Sequence, residues 1–303
     1  AIDLLPAVFI PTVARAAIER GVHLINSNYI PPELRALDET ARVRGVTVLP
    51  EFGLDPGLDL VMLGDAVQAL DDIEEIHSYG SGIPEWTAAN NPLHYKVSWT
   101  FEGVLKAYRR PARVIRDGVI VDIDRTQVFA PENVWLEEVA GLGALEVYPN
   151  GDAAQYAADL GVDPASLRAA GRYTMRWPGH AAFWKAIVDL HLLDPEPVMV
   201  DGVPVDRLRY LAAALGPHLQ YAPGERDVAI VIVEVVGRTG QERKRLRYTL
   251  VDMLDPATGF SAMSRAVGFS TSIAAQMIGS GKITKRGLLS PITDVPYDAM
   301  VEE

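Results

Sequence analysis

The sequence has no cysteine among its 303 residues, and this absence excludes several classes of protein. A disulfide scaffold, a thiol nucleophile and a thiolate metal site all require cysteine. No stretch reaches roughly 18 uninterrupted apolar residues, so no membrane span is expected. The six histidines lack the H-x-x-x-H spacing of a metal site, and there is no G-x-S-x-G elbow. We therefore predict no metal site and no membrane partner.

A G-x-G-x-x-G phosphate loop is also missing. A complete dinucleotide-binding domain opens with a strand, this loop and a helix, followed by an acidic residue for the ribose. The segments GSGI (80–83), GLG (141–143) and GSGK (279–282) have the wrong spacing and context. We interpret each of them as a plain turn.

Positive charge is scarce, with 28 basic against 40 acidic residues and a net charge of −12. This balance argues against a general nucleic-acid binder, while it leaves room for a local basic pocket that takes an anionic ligand. No basic region precedes an apolar core at the N-terminus, so no signal peptide is indicated and a cytoplasmic location is expected. The length allows two domains.

The first sixty residues alternate between strand and helix patterns. Short apolar runs predict strands at 1–5, 22–25 and 46–49, and amphipathic spacing predicts helices at 9–20 and 32–44. This order is typical of a doubly wound parallel sheet. We predict the fold class α/β, with the second half of a Rossmann-like sheet in this part of the chain.

The pattern changes after a helix predicted from residue 58 to residue 70. Mostly antiparallel strands are predicted at 73–79, 96–99, 112–123, 145–148, 173–177 and in a long hairpin at 228–251. Helices are predicted at 181–193, 205–215, 261–267 and 270–278. A second domain of α+β type, with a mostly antiparallel sheet, follows from this order.

The stretch EFGLDPGLD (51–59) is predicted to cross from a strand into a helix. Glycine and proline suit such a turn, and Asp55 suits a helix cap. Because ligands bind at the carboxyl ends of strands in open α/β sheets, the turn is expected to form part of a site wall, with Glu51 and Asp59 nearby. The alternative is a capped helix start without any further role.

This stretch resembles the E-x-G-L-D-P-G-x-D segment of the saccharopine dehydrogenase-like family, in particular the saccharopine reductases. Three further segments resemble the family in the same order: NNPLHYKVSWTFEGVL (90–105), YAPGERD (221–227) and GFSAMSRAVGFS (259–270). The resemblance covers nearly the whole chain. It places the phosphate loop about 70 residues, or two βαβ units, upstream of residue 1, so we expect a truncated chain.

The resemblance also implies the domain organisation. Residues 1–60 and 260–303 would form a partial, discontinuous dinucleotide-binding domain. Residues 61–259 would form an α+β substrate-binding and dimerisation domain, with a small helical insertion near 180–220. A homodimer through the antiparallel sheet is expected.

The activity implied by the resemblance is that of an NAD(P)-dependent oxidoreductase acting on a carbon–nitrogen bond of an amino-acid substrate, with NADP or NAD as cofactor. Two alternatives stay open. One is a relative acting on another amine, of the lysine ε-dehydrogenase or carboxynorspermidine type. Two departures from the saccharopine reductases favour it: Asn28 stands where the family has the serine of a Ser-Tyr pair, and Leu60 stands where a histidine is often found. The other is a non-catalytic substrate-binding or dimerising fragment, which the missing phosphate loop favours.

The resemblance implies roles for particular residues. Asp55 would be the catalytic carboxylate that holds the substrate amine. The substrate-binding set is Asn28, Tyr29, Lys96, Ser98, Arg172 and Arg176. The cofactor-binding set is Leu5, Pro6, Ala7, Leu54, Pro56, Gly57 and Asp59.

Several of these side chains also have plainer explanations. The polar cluster at Asn28 and Tyr29 suits a helix-capping loop. Alternation along a strand at 96–99 would put Lys96 and Ser98 on one face, which we expect to face the crevice. Arg172 and Arg176 flank another predicted strand and suit carboxylate binding or a solvated surface. We expect Asp55, Tyr29, Ser98 and at least one arginine to converge on one ligand.

Overall fold

A computed structural model describes residues 1–302 of the chain. Within these residues the fourteen strands are β1 Ile2–Asp3, β2 Leu24–Asn26, β3 Thr47–Leu49, β4 Asp72–Pro84, β5 Ala112–Arg116, β6 Val119–Ile123, β7 Trp135–Val139, β8 Gly143–Pro149, β9 Ala169–Arg176, β10 Val198–Val200, β11 Val203–Val205, β12 Asp227–Thr239, β13 Glu242–Met253 and β14 Gly287–Leu288.

The eleven α-helices in the same range are α1 Ile10–Glu19, α2 Pro32–Arg35, α3 Asp38–Val43, α4 Leu58–Gln68, α5 Phe101–Ala107, α6 Ala153–Asp159, α7 His180–Asp189, α8 Arg207–Leu215, α9 Ala262–Gly279, α10 Pro291–Asp294 and α11 Tyr297–Val301. None of the helices in residues 1–302 combines the length and the apolar character needed to cross a bilayer.

The chain divides into two compact units. Unit 1 contains Ala1–Asp72, Val231–Thr249 and the described residues from Ser264 onward. Unit 2 contains Ile73–Ile230 and Leu250–Met263. The predicted domain bounds, 1–60 with 260–303 against 61–259, stay a prediction.

A four-stranded parallel sheet in the order β1-β2-β3-β14 organises unit 1. Asp3 lies opposite Asn26, and Ile25 lies opposite Leu49, so the carboxyl ends of three strands lie along one edge. Two apolar clusters form its core, and helix α1 contributes Ile10, Ala14, Ala17 and Ile18 to one of them. The prediction of the second half of a doubly wound sheet is confirmed.

The second sheet has eight strands in the order β13-β12-β4-β9-β5-β6, and the β7–β8 hairpin joins it through β9. Strands β4 and β9 are parallel, with Ser78 opposite Arg172. The pairs β5–β6, β7–β8 and β8–β9 are antiparallel, and Glu146 lies opposite Arg176. The predicted α+β arrangement with a mostly antiparallel sheet is therefore confirmed.

The strand predicted at 96–99 is wrong. Residues 96–99 belong to no strand, and the Val97 amide donates to the Leu219 carbonyl at 2.9 Å. The segment follows a local turn in which Asn91 Oδ1 accepts from the Leu93 amide at 3.0 Å and His94 has a φ of 46°. The argument from alternation for Lys96 and Ser98 therefore does not hold.

Three other local predictions need correction. GSGI at 80–83 is not a turn, because β4 runs without interruption to Pro84. The two predicted C-terminal helices are one helix, α9. The helix predicted at 32–44 breaks after Arg35, where the Leu37 amide donates to the Leu34 carbonyl three residues earlier at 3.0 Å and tightens the turn.

Candidate functional site

The carboxyl edge of the parallel sheet in unit 1 brings several predicted residues together. Asn28 follows β2, and its Nδ2 donates to the carbonyl of Leu5 at 3.4 Å. The amide of Glu51, which follows β3, donates to the Asn28 carbonyl at 3.0 Å. Leu5, Pro6 and Ala7 are exposed, and they form an apolar surface at the end of β1.

The GLDPG loop follows β3 and has a compact backbone. The Gly53 amide donates to the Pro56 carbonyl at 2.9 Å. Gly57 has a φ of 147°, and a Cβ there would lie 2.2 Å from the Gly53 nitrogen, so only glycine fits. Asp59 is fully buried, and its Oδ1 accepts from the Gly57 amide at 2.7 Å. Asp59 therefore holds the loop, in which Asp55 is half-buried.

Two buried polar atoms at the same edge have no hydrogen-bond partner. They are Asp3 Oδ2 and Asn26 Nδ2, on residues that lie opposite each other in β1 and β2. The Asp3 oxygen accepts a hydrogen bond, and the Asn26 nitrogen donates one. A carboxamide has one N–H donor group and one oxygen acceptor, so it could form a hydrogen bond with each of these two atoms.

Arg176 is the main charged group at the end of β9 in unit 2, and it is 7% exposed. Its Nη1 donates to the Met175 carbonyl at 2.8 Å and to Ser81 Oγ at 3.3 Å, and its Nε is buried without a partner. Within residues 1–302, no carboxylate lies within the 4.0 Å of an ion pair with its guanidinium. A buried cation of this kind is costly unless an anion joins it.

Four hydroxyl groups of unit 2 share this lack of partners, and each oxygen is buried. They belong to Tyr95, Ser98, Tyr148 and Tyr221. The guanidinium of Arg176 lies over the Tyr95 ring, 5.1 Å from its centroid. Burial first, and then the charge of Asp227, raise the pKa of Tyr221 well above its ordinary value, while the charge of Arg176 acts in the opposite direction. The Tyr221 hydroxyl therefore stays protonated, and each of the four hydroxyls can donate a hydrogen bond to an anion.

Lys96 is buried and forms an ion pair with Glu225. Glu225 also accepts from Asn90 Nδ2 at 3.1 Å and from the Ala222 amide at 2.6 Å. The hydrogen bond from Lys96 lowers the pKa of Glu225, and the Ala222 amide lowers it further. The Lys96–Glu225 ion pair therefore stabilises the fold of this region. A contact of Lys96 with substrate stays a prediction.

Arg172 and Arg176 lie four residues apart on one face of β9 but have different surroundings. The Arg172 guanidinium lies over the ring of Tyr156 in α6, at 4.4 Å from its centroid, and is half-buried. Arg176 ends the strand beside Ser81. The contrast favours Arg176 as the carboxylate-binding residue.

The neighbouring residues Glu225, Arg226 and Asp227 make three separate contacts. Arg226 forms an ion pair with Glu85. Asp227 is buried and accepts from the amides of Ala262 and Met263, at 2.7 and 3.0 Å, at the start of α9. These contacts join residues 226 and 227 to Glu85 and to the start of α9.

The predicted site residues fall in both units. Asp55, Asn28, Tyr29 and the cofactor-binding set lie in unit 1, and the side chains of Lys96, Ser98, Arg172 and Arg176 lie in unit 2. Their convergence on one ligand stays a prediction. Among the described residues, no group of three or more histidine, aspartate or glutamate side chains is arranged to hold a metal ion.

No sequence pattern indicates a role for Ser81, for Tyr221 or for the buried pair Tyr108 and His180, whose hydroxyl and Nε2 lie 2.7 Å apart. Ser81 lay in a segment interpreted as a turn, and its partner Met175 is 94 residues away. No local pattern indicates such a contact.

The comparisons with known proteins identify the family and the fold of this chain. The sequence profile described as the Saccharopine dehydrogenase C-terminal domain matches residues 53–303. The chain belongs to this family. The apo saccharopine dehydrogenase (L-Glu forming) of Saccharomyces cerevisiae has a TM-score of 0.88 and 25% identity, and the match covers 100% of this chain and 81% of that one. The Rossmann-like half-sheet and the second unit are thus parts of a saccharopine dehydrogenase-like fold.

Two curated relatives extend the comparison. The saccharopine dehydrogenase (NADP(+), L-glutamate-forming) of Pyricularia oryzae is 26% identical over 374 residues, which cover all of this chain and 81% of that protein. The mitochondrial alpha-aminoadipic semialdehyde synthase of Bos taurus is 29% identical over 364 residues, which cover 99% of this chain. The chain spans 39% of the length of the bovine protein.

Proposed function

We propose that this saccharopine dehydrogenase-like chain carries the substrate-binding and reacting residues of an NAD(P)-dependent oxidoreductase, which acts on a carbon–nitrogen bond of an amino-acid substrate. Family membership and the likeness to the yeast enzyme support this proposal. The saccharopine-type reaction is imine reduction in one direction and amine oxidation in the other.

The observation that carries the proposal is the environment of Arg176. A buried guanidinium without a carboxylate partner has a free Nε donor, and the hydroxyls of Ser98, Tyr95 and Tyr221 are free donors as well. A substrate carboxylate supplies both the missing charge and the missing acceptors. We propose Arg176, rather than Arg172, as the residue that binds it.

The reaction requires positioning more than covalent chemistry from the protein. In the reductive direction, hydride adds to the imine carbon and a proton adds to the nitrogen, which gives a secondary amine. A bound nicotinamide supplies the hydride. Within unit 2, Arg176 and the unpartnered hydroxyls hold the carboxylate and so fix that end of the substrate. Within unit 1, Asp55 and Tyr29 are the candidates for the amine.

The residues of the parallel sheet edge fit a nicotinamide. The exposed apolar surface of Leu5, Pro6 and Ala7 suits the ring, and the unpartnered Asp3 Oδ2 and Asn26 Nδ2 suit its carboxamide. The GLDPG loop, with Leu54, Pro56, Gly57 and Asp59, would complete that side. The proposal covers NADP and NAD alike.

The test is a spectrophotometric assay at the nicotinamide absorbance. The protein is mixed with NADPH or NADH, glutamate and aminoadipate semialdehyde, and the reverse direction uses saccharopine with the oxidised cofactor. Turnover that falls at least tenfold in Arg176→Lys, but not in Arg172→Lys, supports the proposal. Calorimetric binding of saccharopine without turnover would instead favour a substrate-binding fragment.

A second candidate is a relative that acts on another amine. Leu60, which stands at the position where saccharopine reductases often have histidine, is buried in α4 and 4% exposed, so it offers no proton relay. Oxidation of lysine or carboxynorspermidine in preference to saccharopine would establish this candidate.

The cytoplasmic location and the homodimer through the antiparallel sheet also belong to this proposal. Strand β13 ends the order of the eight-stranded sheet, and edge strands commonly acquire a partner. Light scattering at micromolar concentration gives a dimeric mass if the proposal is right and a monomeric mass if it is wrong.

A further inference from the structure

We infer that Gly82 is a positioning residue, whose missing side chain lets the Ser98 hydroxyl stand beside Arg176 and donate to the same substrate carboxylate. This inference rests on the proposed function of Arg176. Gly82 lies near the end of β4, Arg176 ends β9, and Ser98 lies in the segment that precedes α5. All three residues belong to unit 2.

The neighbours of Gly82, and not its backbone, require a glycine at this position. Its φ lies outside the left-handed region, so the backbone itself would accept alanine. A Cβ on Gly82, however, would lie 2.7 Å from Ser98 Oγ and 2.6 Å from Met263 Cε. Both distances are well below the roughly 3.5–4 Å of a van der Waals contact. The glycine therefore provides the space that these two side-chain ends occupy.

The strand register puts this space beside Arg176. Strands β4 and β9 are parallel, and Gly80 lies opposite Thr174. Two residues further along each strand, the same register sets Gly82 level with Arg176, and side chains at these two positions project from the same face of the sheet. Ser81, the neighbour of Gly82, accepts from Arg176 Nη1 at 3.3 Å, so the two strand ends are still adjacent here.

Two unused donors then belong to neighbouring groups. Arg176 Nε and Ser98 Oγ are both buried, and neither has a hydrogen-bond partner. A carboxylate has two oxygen atoms, and it can accept from two donors at once. One substrate carboxylate can therefore take the Nε–H of Arg176 and the O–H of Ser98 together.

Met263 occupies the rest of the space over Gly82. The amides of Ala262 and Met263 donate to the buried carboxylate of Asp227, at 2.7 and 3.0 Å, which fixes the backbone at this point. The group that Met263 brings to Gly82 is its methyl carbon Cε. A methyl group accepts no hydrogen bond, so the Ser98 hydroxyl stays available to a ligand.

Gly82→Ala tests this arrangement without breaking the fold. The two atoms that a new Cβ would meet are the ends of side chains, which can rotate away, so the urea-unfolding midpoint should change little. Rotation of Ser98 moves its hydroxyl away from Arg176. The matched control in unit 2 is Gly216→Ala, whose Cβ would meet only Phe101 Cδ1, at 3.9 Å.

The first experiment measures calorimetric binding of L-saccharopine. Gly82→Ala should weaken binding about 3- to 10-fold, and Gly216→Ala should stay within about twofold of wild type. The double variant Gly82→Ala/Ser98→Ala should bind within about twofold of Ser98→Ala alone, because Gly82 acts through Ser98. Adding Met263→Ala to Gly82→Ala should not restore affinity. Additive losses with Ser98→Ala, or restoration by Met263→Ala, would overturn the inference.

A second readout needs no ligand. The chain has no cysteine, so Ser98→Cys introduces a single thiol. A nearby cation lowers the pKa of a thiol, and the ultraviolet absorbance of the thiolate follows that pKa. The pKa should rise by about one unit or more when Arg176→Met removes the charge, and it should also rise when Gly82→Ala displaces residue 98. Gly216→Ala should leave it unchanged.

The two readouts separate this inference from the proposed function. If wild type does not bind saccharopine but the thiol pKa rises in both Arg176→Met and Gly82→Ala, the proposed function fails and the positioning role of Gly82 stands. If wild type binds saccharopine and Arg176→Lys weakens that binding, while Gly82→Ala changes neither the affinity nor the thiol pKa, the proposed function stands and this inference fails.

Discussion

Ser81 on β4 fixes one end of Arg176 on the neighbouring strand β9. Ser81 Oγ accepts from Arg176 Nη1 at 3.3 Å and itself donates to the Met175 carbonyl at 2.6 Å, while Nη1 reaches the same carbonyl at 2.8 Å. The opposite edge of the guanidinium keeps an unpartnered Nε. One side of Arg176 therefore serves the fold, and the other side is available to a ligand.

Ser98 and Ser81 should respond oppositely to removal of their hydroxyls. Ser98 Oγ is buried without a partner, so Ser98→Ala should leave the free energy of unfolding unchanged or raise it slightly, while saccharopine binding weakens about 2- to 10-fold. Ser81→Ala breaks existing bonds and should lower the free energy of unfolding by about 1–2 kcal/mol. Urea unfolding and calorimetry measure both. A stability loss in Ser98→Ala as large as that in Ser81→Ala would argue against a binding role for Ser98.

The Lys96–Glu225 pair should show an asymmetry between its two members. Glu225→Gln leaves the ammonium of Lys96 buried without its counter-charge, and should cost about 3 kcal/mol or more. Lys96→Met replaces the cation with an apolar chain of similar length and leaves the less buried Glu225 bonded to the Ala222 amide, so it should cost less. Denaturant unfolding of the two variants decides the point, and the reverse order would show that this account of the pair is wrong.

The stability of the chain should depend on pH through His180. Its pKa is well below 6.5 in the folded state because of burial and the charge of Arg176, whereas the unfolded chain takes up a proton near pH 6.5. The unfolded state therefore binds more protons below that pH, and the contribution of neutral His180 is complete above pH 6.5 and declines as the pH falls, by up to about 1.4 kcal/mol per pH unit.

The measurement is the difference in unfolding free energy between wild type and His180→Gln from pH 8 to pH 5. The other titrating groups are common to both proteins and cancel. The advantage of wild type over the variant should shrink as the pH falls below 6.5. A constant difference across this range would mean that His180 is not held neutral.

The architecture could be predicted well because the sequence signals for strands and helices come from residues that are close together in the chain. The alternation of apolar runs and glycine-ended helices in the first sixty residues is sufficient for a parallel sheet, and three of its four strands were found. The fourth, β14, has only two residues and offers no periodicity to detect. Residues 96–99 were misassigned because the Val97 amide bonds the carbonyl of Leu219, far along the chain, and no local pattern indicates that contact.

The candidate site was less predictable than the fold. The GLDPG turn and Arg176 were found because the resemblance marked them. The contacts of the charged groups in unit 2 join distant positions: Lys96 and Glu225 are 129 residues apart, and Ser81 and Arg176 are 95 apart. The choice between Arg172 and Arg176 followed only from the aromatic ring beside one of them and the unpartnered Nε of the other.

The most direct test of the central claim is the affinity of L-saccharopine for three forms of the protein: wild type, Arg176→Lys and the matched control Arg172→Lys. Lysine keeps the charge but loses the planar pair of donors, so Arg176→Lys should weaken binding by about 1.5–3 kcal/mol, or roughly 10- to 150-fold. Arg172→Lys should stay within about threefold of wild type, because the Arg172 guanidinium already packs on Tyr156. Unchanged affinity in Arg176→Lys, or a larger loss in Arg172→Lys, would contradict the assignment of Arg176 as the carboxylate-binding residue.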